Sequence, residues 1–255
     1  MKAIEIQQRR QRILTILNQE RKIEVRTLVQ KLQVSDETIR KDLAVLVDQG
    51  LIKKRYGIAE LIATNNSTPV GLRDKTENRA KMLMAQTALK LIKPEMRFIG
   101  LDQGTSVAKL AEEIKQLSHK TIITRSLLSL IALKNGENEF FCPGGYYNAN
   151  DMAFQGQNEA FMVTNTHLDI SFFGSGGVKN RPGLCSTSFT DAELKKQMVE
   201  QSSIKVALVD HTKFEQTALV MVLPWSHFDY LITDSQTSDA TIAKLNNQVK
   251  VIVAR

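Results

Sequence analysis

The sequence predicts an α/β chain made of two modules. Three observations carry this reading. Three apolar-striped helical patterns crowd into the first 48 residues and run into a basic hairpin. A polar stretch containing Pro69 and Gly71 then interrupts the chain. From about residue 74, apolar strand-like runs alternate with helical ones, the mark of a mostly parallel sheet covered by helices. The predicted divisions are 1–62 for the first module, 63–73 for a linker and 74–255 for the second.

In the first module, Ile13, Leu14 and Leu17 stripe a helix over Ile6 to Asn18. Val25, Leu28, Val29 and Leu32 follow the i, i+3, i+4, i+7 rule of a second. Gln33-Val34 then leads to Ser35, an N-cap residue. Asp36 and Glu37 follow in the first turn, where the helix dipole favours acids. This third helix is predicted to bury Ile39, Leu43, Leu46 and Val47, and Gly50 stops it. Leu51–Tyr56 reads as a basic strand, with Gly57 in the turn and Ile58–Ile62 returning. A tight turn between two helices, followed by a basic hairpin, describes a winged helix-turn-helix.

In the second module a helix over about 77–92 ends before Pro94. Strands are predicted at Arg97–Leu101, Thr121–Thr124, Glu139–Cys142, Leu168–Phe173, Lys205–Val209, Tyr230–Thr233 and Lys250–Val253. Helices at Val107–Leu117, Asp191–Gln201 and Asp239–Asn246 lie between them.

Composition and charge narrow the function. Of 255 residues 42% are apolar and 24% charged, which excludes a disordered chain. The longest apolar runs fall short of the ~18 residues of a membrane helix. The start lacks a signal peptide's apolar segment, and two cysteines make neither a disulfide framework nor a metal set. A cytoplasmic location is the expectation, with no cofactor and no metal. Residues 1–56 hold 13 Lys/Arg against 7 Asp/Glu, so +6 of the net +7 lies there. A basic module on a near-neutral body suits a polyanion, most simply double-stranded DNA.

The third helix is narrow enough for the major groove. With its apolar stripe buried, Glu37, Thr38, Lys41, Ala44 and Val45 face outward and Arg40 lies on the flank. Arg40 and Lys41 suit phosphates or guanine edges, Thr38 a phosphate or a thymine methyl, and Glu37 a cytosine amino group. Ser35, Glu37, Thr38, Arg40 and Lys41, with Lys53, Lys54 and Arg55 on the wing, form the candidate DNA-binding set.

Five loops in the second module follow strands and carry small, hydroxyl or basic residues. They are Asp102-Gln103-Gly104-Thr105-Ser106, Thr124-Arg125-Ser126, Pro143-Gly144-Gly145, Gly174-Ser175-Gly176-Gly177 and Asp210-His211-Thr212-Lys213. Such loops converge at the carboxyl ends of parallel strands and suit a phosphorylated or polyhydroxylated ligand. Neither a GxGxxG nor a P-loop is present. His119, His167, His211 and His227 lack metal spacing, and Trp225 reads as packing.

The run Val34-Ser35-Asp36-Glu37-Thr38-Ile39-Arg40-Lys41-Asp42-Leu43, with Leu46, Gly50-Leu51-Ile52 and Arg55-Tyr56-Gly57, resembles the signature of DeoR-family bacterial transcription regulators. The loops resemble that family's effector domain at Asp102-x-Gly104-Thr105-Ser106, Thr124-x-Ser126-Leu127, Gly144-Gly145, Gly174-Ser175-Gly176, Lys195, Asp210-x-x-Lys213-Phe214 and Thr233-Asp234. The resemblance implies a sugar-phosphate sensor whose core is related to ribose-5-phosphate isomerase, and it adds Lys195 to the effector set. This chain departs from the family at Tyr56-Gly57-Ile58, where His-Gly-Gly is usual, and at Arg125, where Asn is common. The related isomerases carry carboxylates in the loop that here reads Gly174-Ser175-Gly176-Gly177. Their absence predicts a sensor, expected to be a homo-oligomeric repressor, over a sugar-phosphate isomerase with an accessory domain. A nucleic-acid binder with a passive scaffold is the third alternative.

Overall fold

The computed structural model describes residues 6, 9–10, 12–14, 16–17, 20, 22–48, 52–61, 70–73, 76–156 and 165–255. The chain divides into two compact units, Met1–Thr68 and Pro69–Arg255.

In the first unit the described residues between 6 and 20 are helical, and Ile13, Leu14 and Leu17 are buried. β1 (Lys22–Glu24) precedes α1 (Val25–Leu32) and α2 (Asp36–Asp48). Gln33 ends α1 in the left-handed conformation, at φ 53°. Ser35 caps α2, its Oγ accepting from the Thr38 N–H at 3.3 Å. β2 (Ile52–Arg55) and β3 (Ile58–Leu61) form the wing around Tyr56 and Gly57, at φ 49° and 77°. Positive φ at both central residues defines the two-residue turn that matches strand twist. Gly57 O accepts from Val25 N at 2.9 Å, fixing the wing to the start of α1.

Two expectations change here. β1 was not foreseen, and it makes the sheet three-stranded in the order β1-β3-β2. Val47 is 42% exposed, whereas Asp42 is buried with Ile39, Leu43 and Leu46. Residues 39, 42, 43 and 46 form the inward stripe, and position 47 has turned past it. Asp42 tolerates burial because Arg9 Nε and Arg10 Nε reach its two oxygens at 2.6 and 2.8 Å. The expectations for Gly50, Leu51, Ile62 and the stretch 63–69 lie outside the described residues.

The second unit starts with a helical turn, α3 (Val70–Arg73), so these four residues belong to the folded unit and not to a linker. α4 (Asn78–Leu89) follows. A seven-stranded sheet, in which every pairing is parallel, is built from β4 (Phe98–Leu101), β5 (Ser118–Thr124), β6 (Glu137–Phe141), β9 (Leu168–Gly174), β11 (Ser202–Leu208), β13 (Tyr230–Asp234) and β14 (Lys250–Ala254). Its order is β14-β13-β11-β9-β4-β5-β6. Two antiparallel ribbons, β7 (Tyr146–Asn148) with β8 (Ala153–Gln155) and β10 (Gly183–Ser186) with β12 (Val220–Pro224), were not foreseen.

Alternation along the strands supplies two cores. Ile170, Phe172, Val206, Leu208 and Ile232 pack with α4, α5 (Thr105–Ile114) and α6 (Leu127–Leu133). Phe173, Ala207, Val209 and Leu231 pack on the other face with α7 (Phe189–Glu200), α8 (Asp239–Asn246), Trp225 and Phe228. Trp225 is indeed packing, stacked edgewise on Phe228. Strands β5 and β6 extend one way from β4, and β11, β13 and β14 extend the other way from β9. The β4/β9 junction is therefore the topological switch point, where ligands of open α/β sheets bind. The two strands approach closely: a Cβ on Gly100 would lie 2.2 Å from Ser171 Oγ.

Candidate functional site

Three elements bring charged groups to the carboxyl edge of this junction. Asp102 follows β4, and Arg125 follows β5. Asp191 and Lys195 stand one turn apart on α7, which Ser188 caps by accepting from Asp191 N at 3.1 Å. Lys195 Nζ pairs with Asp102 and, at 3.1 Å, with Asp191 Oδ2. Arg125 Nη2 and the Ser186 hydroxyl donate to Asp191, and Gln103 Nε2 joins them at 2.8 Å. Gly174 N–H, from the end of β9, donates to Asp102 Oδ2 at 3.0 Å. All four charged residues are buried.

Burial disfavours every charge, so the pairings decide the protonation states. Burial works against the Lys195 ammonium, but the two carboxylates outweigh it and raise its pKa. Burial would raise Asp191, yet Lys195, Arg125 and the Ser186 hydroxyl hold it below the usual carboxylate range. Asp102 goes the other way. Burial, reinforced by the nearby Asp191 charge, pushes it up despite Lys195. Asp102 is thus the member of the trio that takes a proton first.

The structure sorts the other effector candidates. Gly104 (φ 121°) opens α5, and Thr105 and Ser106 are buried in its first turn. Thr124 Oγ1 accepts from Ser126 N at 3.2 Å, and Ser126 caps α6. Gly144 and Gly145 serve the β6–β7 connection; a Cβ on Gly145 would meet Gln155 O at 2.2 Å. The Ser175 hydroxyl is used inside its own loop, donating to Cys185 O at 2.8 Å. Gly176 N donates to Cys185 O at 3.1 Å. Lys213 is partly buried, with Nζ 3.1 Å from Gln216 Oε1, and burial lowers its pKa.

Sequence reading passed over Asp191, Ser186 and Gln103, and also Arg73 and Asp151, 3.7 Å apart. The signal for Asp191 was available: Asp and Lys four apart on a helix share a face. The Gly174–Gly177 loop carries no carboxylate; the site's two acids are Asp102, expected from its loop, and Asp191, and both are ion-paired.

In the first unit, Ser35, Glu37, Arg40, Lys41, Lys53 and Arg55 are exposed, while Thr38 and Lys54 are half-buried. Several pair with neighbours: Arg40 with Asp36, Lys41 with Glu37 at 2.8 Å and Lys53 with Glu60 at 3.3 Å. Lys41 holds Glu37 below its usual pKa and is itself raised. Such exposed pairs are weak and yield readily to a phosphate. Arg26, Val29, Gln30, Asp36 and Arg40 line an open groove of about 480 Å³ between α1 and α2. Among the described residues no group of His, Cys, Asp and Glu is arranged to hold a metal ion, and no helix is long and apolar enough to cross a membrane.

Comparison with known proteins places both units. Residues 9–65 match the DeoR-like helix-turn-helix domain, and residues 76–235 match the DeoR C-terminal sensor domain. Among solved structures, the full-length sorbitol operon regulator SorC of Klebsiella pneumoniae aligns at a TM-score of 0.39 and 14% identity, over 92% and 97% of the two chains. In sequence, the chain is 31% identical to the HTH-type transcriptional regulator GolR of Listeria innocua, over 94% of this chain and 95% of that protein. It is 30% identical to the L-fucose operon activator of Haemophilus influenzae, over 89% and 91%. It is 27% identical to the glycerol-3-phosphate regulon repressor of Escherichia coli, over 89% and 90%. These three sequence relatives favour a regulator over an isomerase. With a helix-turn-helix unit in front of a sensor unit, this chain belongs to the DeoR family of DNA-binding transcriptional regulators.

Proposed function

We propose that the chain is a homo-oligomeric repressor whose hold on DNA is set by a phosphorylated sugar or sugar acid at the β4/β9 junction. The observation that carries this reading is the Asp102–Lys195–Asp191–Arg125 array. It consists of four buried charged groups from three elements, gathered where parallel sheets bind ligands. Gly104, Thr105 and Ser106 present the N–H groups of the first turn of α5 to a phosphate. Asp102, Gly174 and Lys195 face the sugar hydroxyls. Thr124, Arg125 and Ser126 close the β5 side, and Lys213 the β11 side. Gly144, Gly145, Ser175 and Gly176 shape the loops around them.

On DNA, α2 lies in the major groove with Glu37, Thr38 and Lys41 toward base edges. Ser35 and Arg40 hold phosphates, as do Lys53, Lys54 and Arg55 on the wing. An effector shifts this equilibrium only if it binds the DNA-competent and DNA-incompetent states unequally. Two copies reading paired half-sites give that difference a geometric outlet.

The test joins two measurements on the full chain. Sugar phosphates and sugar acids are screened for a rise in melting temperature, and each hit is added to a complex of the protein with promoter DNA. A hit that also changes DNA affinity supports the reading. Indifference to duplex DNA at low salt, or a hit that leaves DNA affinity unchanged, overturns it.

A further inference from the structure

Strand β12 is apolar on both sides. Residues 218–223 read Ala-Leu-Val-Met-Val-Leu, without a polar or charged side chain. Alternation along the strand turns Val220 and Val222 in to the core they share with α7. Leu219 and Met221 point the other way and stay 55% and 40% exposed. Phe189, at the start of the α7 helix that packs on this strand, is 72% exposed. An antiparallel strand with one wet face alternates apolar with polar residues, whereas a continuous apolar run marks a strand covered on both faces. β12 has the sequence of the second kind and, in a single copy of the chain, the surroundings of the first.

Its edge is open as well. β12 pairs with β10 on one side, and among the described residues no other backbone hydrogen bond reaches Leu219–Leu223. The loop after β9 occupies β10, where Gly176 N and Ser175 Oγ both donate to Cys185 O. Exposed strand edges are ordinarily blunted by charge. The two edges of the seven-stranded sheet follow that rule: β6 exposes Glu137 and Glu139, and β14 exposes Lys250. β12 carries no charge. Like charges set opposite one another destabilise a strand pair, so β6 repels its own copy while β12 does not. Laid antiparallel against itself, β12 joins two ribbons into one four-stranded sheet. Each copy then closes the other's open edge and sets Leu219 and Met221 beside their counterparts.

We propose that β12, with Phe189 beside it, is the surface through which two copies of this chain associate, edge to edge about a two-fold axis. This rests on the reading of the protein as a homo-oligomer and assigns the surface that makes it one. The contact lies one strand away from the effector array: Val220 stands opposite Ser186, whose hydroxyl donates to Asp191. A ligand that draws on Asp191 therefore acts on the strand next to the joint between copies.

The test measures the molar mass of the full chain by light scattering behind a sizing column. Leu219→Glu and Met221→Glu place a charge at exposed positions, and each should lower the mass about two-fold with the circular dichroism unchanged. Phe140→Glu, on the exposed edge strand β6, controls for the loss of an apolar surface group and keeps the wild-type mass. If the β12 variants fold poorly, hydrogen exchange of the wild type decides. The outward amides of residues 219–223 should exchange about 10-fold more slowly in the associated protein than at a dilution that separates the copies. Wild-type mass in both β12 variants, or equal exchange of those amides in the two states, overturns the assignment and leaves the homo-oligomer reading standing. A drop in mass for Phe140→Glu alone moves the interface to β6 and also overturns it. A wild type with the mass of one chain at every concentration overturns the homo-oligomer reading, and this assignment with it.

Discussion

The Lys195 ammonium meets the Asp102 carboxylate across 93 residues of chain, with side-chain exposures of 5% and 1%. One comes from a helix on one face of the sheet and the other from just beyond β4, the strand beside the central β9. Breaking such a pair from one side leaves a buried charge uncompensated, at a cost of about 3–5 kcal/mol. Lys195→Met and Asp102→Ala should each lose stability on that scale in urea unfolding of the full chain. The double variant should lose less than the sum of the two, and strict additivity would deny the coupling.

The acids of the site make the pH profile specific. Asp191 is held low in the folded state, so its contribution is present above the unfolded carboxylate value and lost as pH falls through the lower folded one. Asp102 is raised, so the folded state takes a proton before the unfolded chain does. Its titration therefore stabilises the fold as pH drops through the raised value. Stability measured from about pH 7 to 4 should level off or rise before it falls, and Asp102→Asn should remove that shoulder. A profile unchanged by Asp102→Asn would contradict the assignment.

On the proposed DNA face, Lys41→Ala and Lys53→Ala remove exposed cations whose partners are Glu37 and Glu60. Neither should alter folding. Removing one lysine–phosphate interaction should reduce the slope of log affinity against log salt by ~0.9. Lys41→Ala should also change base preference, whereas Lys53→Ala should weaken all sequences alike. Anisotropy titrations at several salt concentrations, on matched and scrambled duplexes, separate the two.

Asp42 gives a test confined to the first unit. It is 1% exposed and accepts from Arg9 and Arg10. Asp42→Ala should lower the stability of that unit by about 3 kcal/mol and abolish DNA binding. Calorimetry should show the sensor transition in place, and a matching downward shift there would mean that the units do not melt independently.

Two glycines separate backbone strain from collision. Gly104 has φ 121° with open space where a Cβ would stand, so Gly104→Ala meets strain alone and should cost about 1–2 kcal/mol. Gly145 has φ 105° and backbone 2.2 Å from that position, so Gly145→Ala should lose distinctly more. Equal losses in chemical denaturation would show that the loop around Gly145 simply moves aside.

The two-unit plan and the parallel sheet were legible because periodicity and charge are local properties of the chain. Ile39, Leu43 and Leu46 report their helix face directly, and Val206 and Ala207 report the two sides of a strand. What stayed hidden depends on partners distant in sequence. β1 is three residues long and is a strand only because β3 lies beside it. Asp42 reads as a surface acid until Arg9 and Arg10 arrive over it. In the site, Asp102 and Gly174 stood out through their loops, but Asp191 reads as an ordinary residue in the first turn of a helix. Arg73 reads as linker, because the residues that make it part of the sensor lie at 150 and 151.

The strand order has a consequence for the growing chain. β4 is flanked in the sheet by β5 and β9, yet β9 begins 67 residues after β4 has been completed (Leu168 against Leu101). Among the described residues the first unit has its strands by residue 61 and relies on short-range closures. On the ribosome it can finish folding while β4, β5 and β6 still lack the neighbour that buries their inner edge. A nascent chain paused between β6 and β9 therefore carries a complete first unit beside a sheet whose β4 edge is still open.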